Sequence, residues 1–251
     1  MAFFASYRNE WDKLMSRKKY FVFLFIGLAL CLIWAGLGHL LSSFIRSQGG
    51  FILNFSPTPM GTLPFFLQVM VPFLMFMGVS DLLTVEGAEN TMKAMVYRPV
   101  SRWKLYAAKI LAVVTYSALY LICVFIITAA LNQILGRPHS INEVLTALAS
   151  YALTLIPLTI LASFAAMIAL FGRSGTLTMF LLLMSYILLN ILPVLFPVLS
   201  EMLFTSYLSW YRLWIGVRPD ISKLIHMLLI VLGYGVVFFT AGSLLFDRKE
   251  Y

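Results

Sequence analysis

The sequence predicts an all-α polytopic membrane protein with six transmembrane helices, and three observations carry that expectation. Of 251 residues, 61% are hydrophobic and only 11% are charged, against about 25% charged in soluble domains. The apolar residues are gathered into runs near the ~20 residues needed to cross a bilayer. Thirteen of the eighteen Lys and Arg fall in the N-terminal segment, in alternate connections and at the C-terminal end, the asymmetry expected when both termini are cytoplasmic.

Residues 1–19 place Phe3, Phe4, Tyr7, Trp11 and Leu14 at helical spacing and end in Arg17, Lys18 and Lys19. The period predicts an interfacial helix that leads into the membrane, with Trp11, Lys13 and Arg17 at the lipid surface. The first span is expected over 20–44; it is too long for a signal core and lacks a small-residue cleavage site. After a Pro/Gly-containing loop, the second is expected over 63–80, where Pro72 can kink the helix without ending it.

The third span is expected over 105–131, with Lys109 snorkelling at its cytoplasmic end. The fourth, over 144–170, contains Pro157 and runs into Gly172-Arg173-Ser174-Gly175; the fifth, over 177–199, carries Pro193 and Pro197. Between it and the sixth span, 224–246, the segment 201–223 is too apolar for an ordinary loop and too charged for a span. An outer re-entrant pair of short helices satisfies its backbone and sets Tyr207, Trp210 and Trp214 at the interface. The whole chain, 1–251, reads as one membrane domain.

Chemistry is sparse. No phosphate-binding Gly-x-x-x-x-Gly-Lys-Ser/Thr loop is present, so nucleotide hydrolysis is not expected in this chain. His39, His139 and His226 lack paired-ligand spacing, and no nucleophile elbow occurs, so no catalytic, cofactor or metal residues are assigned. Cys31 and Cys123 lie within apolar runs and read as small buried hydrophobes. The charge of +8 is explained by topology and anionic lipid, not by nucleic acid. Asn132, Asn190 and Gln68 read first as structural glue between helices, and Asp81 as a solvated carboxylate at a helix end.

The one long polar interval in the first half is Asp81–Lys109. It carries Asp81, Glu86 and Glu89 and then Lys93, Arg98, Arg102, Lys104 and Lys109. Orientation explains its basic residues; it does not explain the acidic ones, which contribute little to topology. Paired with neighbouring cations, Glu86 and Glu89 can hold a short helix, expected from about Thr91 to Tyr97 and stopped before Pro99, against the ends of the spans.

With Asn-Glu-Trp-Asp-Lys-Leu before the first span, this interval and the six-span plan together, the chain resembles the permease subunits of ABC-2 type ATP-binding cassette transporters. Family members commonly show Glu-x-x-x-Gly-Thr followed by Arg-Pro-x-x-Arg; here Glu86, Thr91, Arg98, Pro99 and Arg102 match, and Asn90 stands where the glycine is usual. The resemblance implies an N-terminal elbow helix, a short coupling helix between spans 2 and 3, and Glu86, Glu89, Thr91, Arg98 and Arg102 as residues coupling to an ATPase. It also implies a second permease chain, identical or homologous, and a pair of cassette ATPase subunits holding the ATP and Mg. The single-domain form resembles permeases of the bacterial cytoplasmic membrane that export antimicrobial peptides, drugs or ions. A non-transporting membrane scaffold without an ATPase partner is the alternative.

Overall fold

The computed structural model describes residues 2–48, 58–88, 101–134, 140–214 and 221–249; among them every regular element is helical. Among the described residues six helices are long and apolar enough to cross a membrane: Lys18–Leu37, Pro59–Val85, Arg102–Ile134, Ile141–Ala169, Gly175–Leu195 and Ile225–Arg248, referred to below as spans 1 to 6. A separate helix, α1 (Ala2–Ser16), precedes span 1 and breaks from it at Arg17. With their long apolar side chains turned outward, these helices make a multi-pass membrane protein.

Spans 2, 3 and 4 form the interior, half or more buried, while spans 1, 5 and 6 are less than a quarter buried and lie around them. Span 3 is the central post. Near one end Tyr106 fits a notch at Gly242 of span 6, and further along Tyr120 fits one at Gly27 of span 1. A Cβ at either glycine would stand 2.0 Å from the tyrosine oxygen, so both positions require the bare backbone.

Span 2 starts at Pro59 and runs to Val85, where the hydropathy pattern suggested 63 to 80. Its start is set by Thr58, whose hydroxyl accepts from the Gly61 amide at 3.1 Å, with Pro59 in the first turn. Two π-helical turns interrupt it, Phe66–Met70 and Ser80–Val85, on either side of the α-helical Val71–Val79. The first falls just before Pro72, which cannot donate a backbone hydrogen bond.

The prolines also explain how the segment between spans 5 and 6 is fastened. A helical proline leaves the carbonyl four residues back without its usual partner, and in a bilayer no water replaces it. Gln68, four before Pro72, accepts from the Tyr186 hydroxyl at 2.9 Å. Leu153, four before Pro157, accepts from the Trp210 indole Nε1 at 2.9 Å. Leu189, four before Pro193, accepts from the Thr205 hydroxyl at 3.3 Å. Span 4 is correspondingly two helices, Ile141–Leu153 and Leu155–Ala169.

Two of those three donors lie on one 3-10 segment, Phe204–Trp214, which follows a shorter one at Pro197–Glu201. Phe204, Tyr207, Leu208, Trp210 and Tyr211 are all buried. Phe204 packs against Phe164 of span 4 and Phe238 of span 6, at 5.0 and 5.2 Å between ring centroids. Tyr207 and Trp210, expected at the lipid interface, are therefore inside the bundle; the Trp214 side chain lies outside the described residues.

Candidate functional site

One end of the bundle gathers two clusters of charged side chains, and their arrangement begins in span 2. Asp81 and Glu86 are five residues apart, which on an α-helix would point them about 140° away from each other. The π-helical turn changes this: the Glu86 amide bonds the Asp81 carbonyl, and residues five apart come to lie nearly one above the other. Both carboxylates thereby face α1 and its junction with span 1.

Glu86 enters a closed ring of four charges. Lys109 Nζ of span 3 donates to Glu86 Oε2 at 2.6 Å and to Glu10 Oε2 at 2.8 Å. Lys13 Nζ donates to Glu10 Oε1 at 2.8 Å and stands 2.9 Å from Glu86 Oε1. Glu10 and Lys13 are one turn apart on α1, so a single helix face supplies half the ring. Glu10, Glu86 and Lys109 are buried, at 0%, 4% and 1% exposure. Two ammonium groups and two carboxylates leave the ring neutral, which makes burial of the charges tolerable. Burial pushes the Glu10 carboxyl up, but the adjacent Lys109 and Lys13 ammonium groups outweigh it and hold the group below its ordinary value.

Asp81 anchors a second cluster. It receives Lys19 Nζ at 2.6 Å and the Tyr20 hydroxyl at 2.7 Å, with Arg17 Nη1 at 3.2 Å. The Tyr20 carbonyl in turn accepts from the Tyr116 hydroxyl at 2.9 Å. Three residues of the α1 to span 1 hinge, Arg17, Lys19 and Tyr20, thus converge on one buried side chain of span 2.

The other side of the same π-helical turn holds the connection between spans 4 and 5. Ser80 donates to the Gly175 carbonyl and Thr84 to that of Ala169, each at 3.0 Å. Lys249 closes the group from the C-terminal end, donating to the Leu170 carbonyl at 2.7 Å. Its ammonium pKa is lowered by burial. Arg102 reaches Asp247 through its carbonyl and, at 3.9 Å, its carboxylate.

Several expected residues therefore sit differently from their sequence reading. Lys109 does not snorkel: it is inside, because two carboxylates wait there. Asp81 is not a solvated helix-end group; it is 4% exposed and compensated by three donors. Lys13 and Arg17, expected at the lipid surface, are engaged in the two clusters, and half-buried Trp11 packs 6.3 Å from the Tyr116 ring. Glu86 is turned inward. Glu89, Thr91 and Arg98, with the helix expected over 91–97, lie outside the described residues. The site member that the sequence reading missed is Glu10, whose only local signal was a carboxylate three residues before Lys13 on the apolar-facing side of an amphipathic helix.

Chemically, the arrangement binds segments together. It makes one mechanical unit of α1, the end of span 2 and the start of span 3. No curated protein matches the chain. The family model described as ABC-2 family transporter protein matches residues 7–190, a stretch that includes α1 from Tyr7 onward, both charged clusters and spans 1 to 5 up to Asn190. With that match spanning most of its length, the chain belongs to the ABC-2 family of transporter proteins.

Proposed function

We propose that this chain is the membrane subunit of an ATP-driven exporter. Two permease chains, identical or homologous, form the pathway, and separate cassette ATPase subunits bind and hydrolyse ATP with Mg. The charged end of the bundle faces the cytoplasm of a bacterial cell, and α1 lies along the inner leaflet as an elbow helix. The segment between spans 5 and 6 is a re-entrant element of the outer leaflet. The cargo is of the antimicrobial peptide, drug or ion class.

The observation that carries this reading is the ring of Glu10, Lys13, Glu86 and Lys109. The connection between spans 2 and 3 leaves from beside Glu86 and returns shortly before Lys109, so both of its ends are fastened to the same ring. A displacement imposed there by a partner reaches spans 2 and 3 and α1 together, without loss in a slack joint. Glu86 in this reading acts as a positioning residue that keeps the coupling element attached, while Glu89, Thr91 and Arg98 meet the ATPase.

The test is affinity purification of the tagged chain in mild detergent, identification of copurifying proteins and an ATPase assay on the complex. A stoichiometric cassette ATPase whose activity falls with Glu86→Ala, in a complex that still assembles, is the expected result. Recovery of the chain without an ATPase across several gentle extraction conditions would overturn the reading in favour of a membrane scaffold.

A further inference from the structure

The two charged clusters differ in balance. The ring around Glu10 sets two ammonium groups against two carboxylates, whereas the second cluster sets Arg17 and Lys19 against Asp81 alone, with Lys18 between them in sequence. Among the described residues no other carboxylate stands within ion-pair distance of these three cations. The hinge between α1 and span 1 therefore carries two positive charges that its neighbours do not offset. They can be reached from outside: the Arg17 and Lys19 side chains are 32% and 44% exposed, and Lys18 is exposed as well.

The hinge also has a defined depth. Lys19 is the last charged residue of a helix in which no Asp, Glu, Lys or Arg recurs until Arg46. Lys18–Leu37 rises about 30 Å, the thickness of the hydrocarbon core. Lys18 and Lys19 consequently sit at the level of phospholipid phosphates. On the same face, four and seven residues beyond Lys18, come Val22 and Phe25, flanked by Phe21 and Ile26, and all four are exposed. Tyr20, Gly27 and Cys31, on the opposite face, are buried in the bundle.

We propose that the α1 to span 1 hinge is a binding site for an anionic phospholipid, whose phosphate is held by Arg17, Lys18 and Lys19 and whose acyl chains run along Phe21, Val22, Phe25 and Ile26. Asp81 fixes Arg17 and Lys19 from the inside, so that a phosphate meets donors already oriented. A zwitterionic lipid brings its own cation and leaves the excess charge of the hinge in place; an anionic one reduces it. A soluble phosphate matches the cations but not the apolar strip below them. The site requires only that the charged end lie at a membrane surface, and it stands without the exporter reading or an ATPase partner.

The test uses the purified chain in phosphatidylcholine nanodiscs, with a small fraction of phosphatidylglycerol carrying a diazirine on its acyl chain; phosphatidylcholine carrying the same group is the comparison. Wild-type chain should take about tenfold more label from phosphatidylglycerol, the scale of one to two basic side chains beside an anionic lipid. The label should fall on Phe21, Val22, Phe25 or Ile26, a readout that needs no variant to fold. Lys18→Gln with Lys19→Gln should remove the preference. Arg8→Gln with Arg173→Gln, which takes the same charge from exposed cations elsewhere, should keep it. Equal labelling by the two lipids overturns the proposal, as does label confined to other spans. An equal loss in both double variants would assign the preference to diffuse surface potential and overturn it too. So would full displacement by water-soluble glycerophosphoglycerol, which would make the hinge a site for soluble phosphates.

Discussion

Lys109→Met tests the ring most directly, because methionine keeps the length and apolar stem of lysine while removing its charge. In the wild type each buried carboxylate of the ring touches two ammonium groups. The variant leaves Glu10 and Glu86 facing one another with only Lys13, whose side chain is 26% exposed and therefore partly screened. Breaking a buried pair by removing one partner costs about 3–5 kcal/mol, because it strands an uncompensated charge. For a chain of this size each kcal/mol is worth roughly 2–4 °C in Tm, so thermal unfolding in detergent, followed by circular dichroism, should move down by about 10 °C. The triple variant Glu10→Gln, Glu86→Gln, Lys109→Met, which keeps only the partly exposed Lys13 charge, should recover most of the loss, since no buried charge is then left without a partner. A Lys109→Met Tm within 1 °C of wild type, or a triple variant as unstable as the single one, would refute the account.

Three further outcomes follow from individual contacts. Trp210→Phe should cost about 1–2 kcal/mol by stranding the Leu153 carbonyl, measured by thermal unfolding; adding Pro157→Ala, which returns a backbone amide to that carbonyl, should reduce the cost. Tyr120→Phe should leave stability unchanged or raise it by about 1 kcal/mol, because the hydroxyl is buried without a hydrogen-bond partner among the described residues; a clear loss in the same assay would show that the hydroxyl is bonded. Glu10 makes stability depend on pH in a definite direction. Its pKa is lowered in the folded state from an ordinary value of 4.5, so its contribution is fully present above that value and is lost as pH falls through the lower, folded one. Unfolding curves from pH 6 to 3 should therefore fall more steeply for wild type than for Glu10→Gln.

The residues show where local information ended. Hydropathy is a property of consecutive side chains, and a segment that must satisfy its own backbone in lipid has little choice but to be a helix. The sequence by itself therefore determined an all-helical membrane protein with six long apolar helices, and it marked the polar interval after span 2 as unusual. The position of Pro72, Pro157 and Pro193 likewise announced three freed carbonyls.

Tertiary structure alone decided what met those carbonyls and charges. Tyr186, Trp210 and Thr205 are 118, 57 and 16 residues from the carbonyls they cap, and no periodicity links them. Lys109 at a span end is equally consistent with snorkelling to water and with burial, and the choice fell to Glu10, 99 residues away. The two carboxylates of span 2 share a face only because five residues are wound into a π-helical turn. That winding is held by residues far away in the chain, with Ser80 on the Gly175 carbonyl and Thr84 on that of Ala169, and it is written in no single stretch of the chain. Composition fixes which solvent a helix prefers, but the partner of a buried charge is a property of the assembled bundle, because its free energy depends on groups that folding alone brings near.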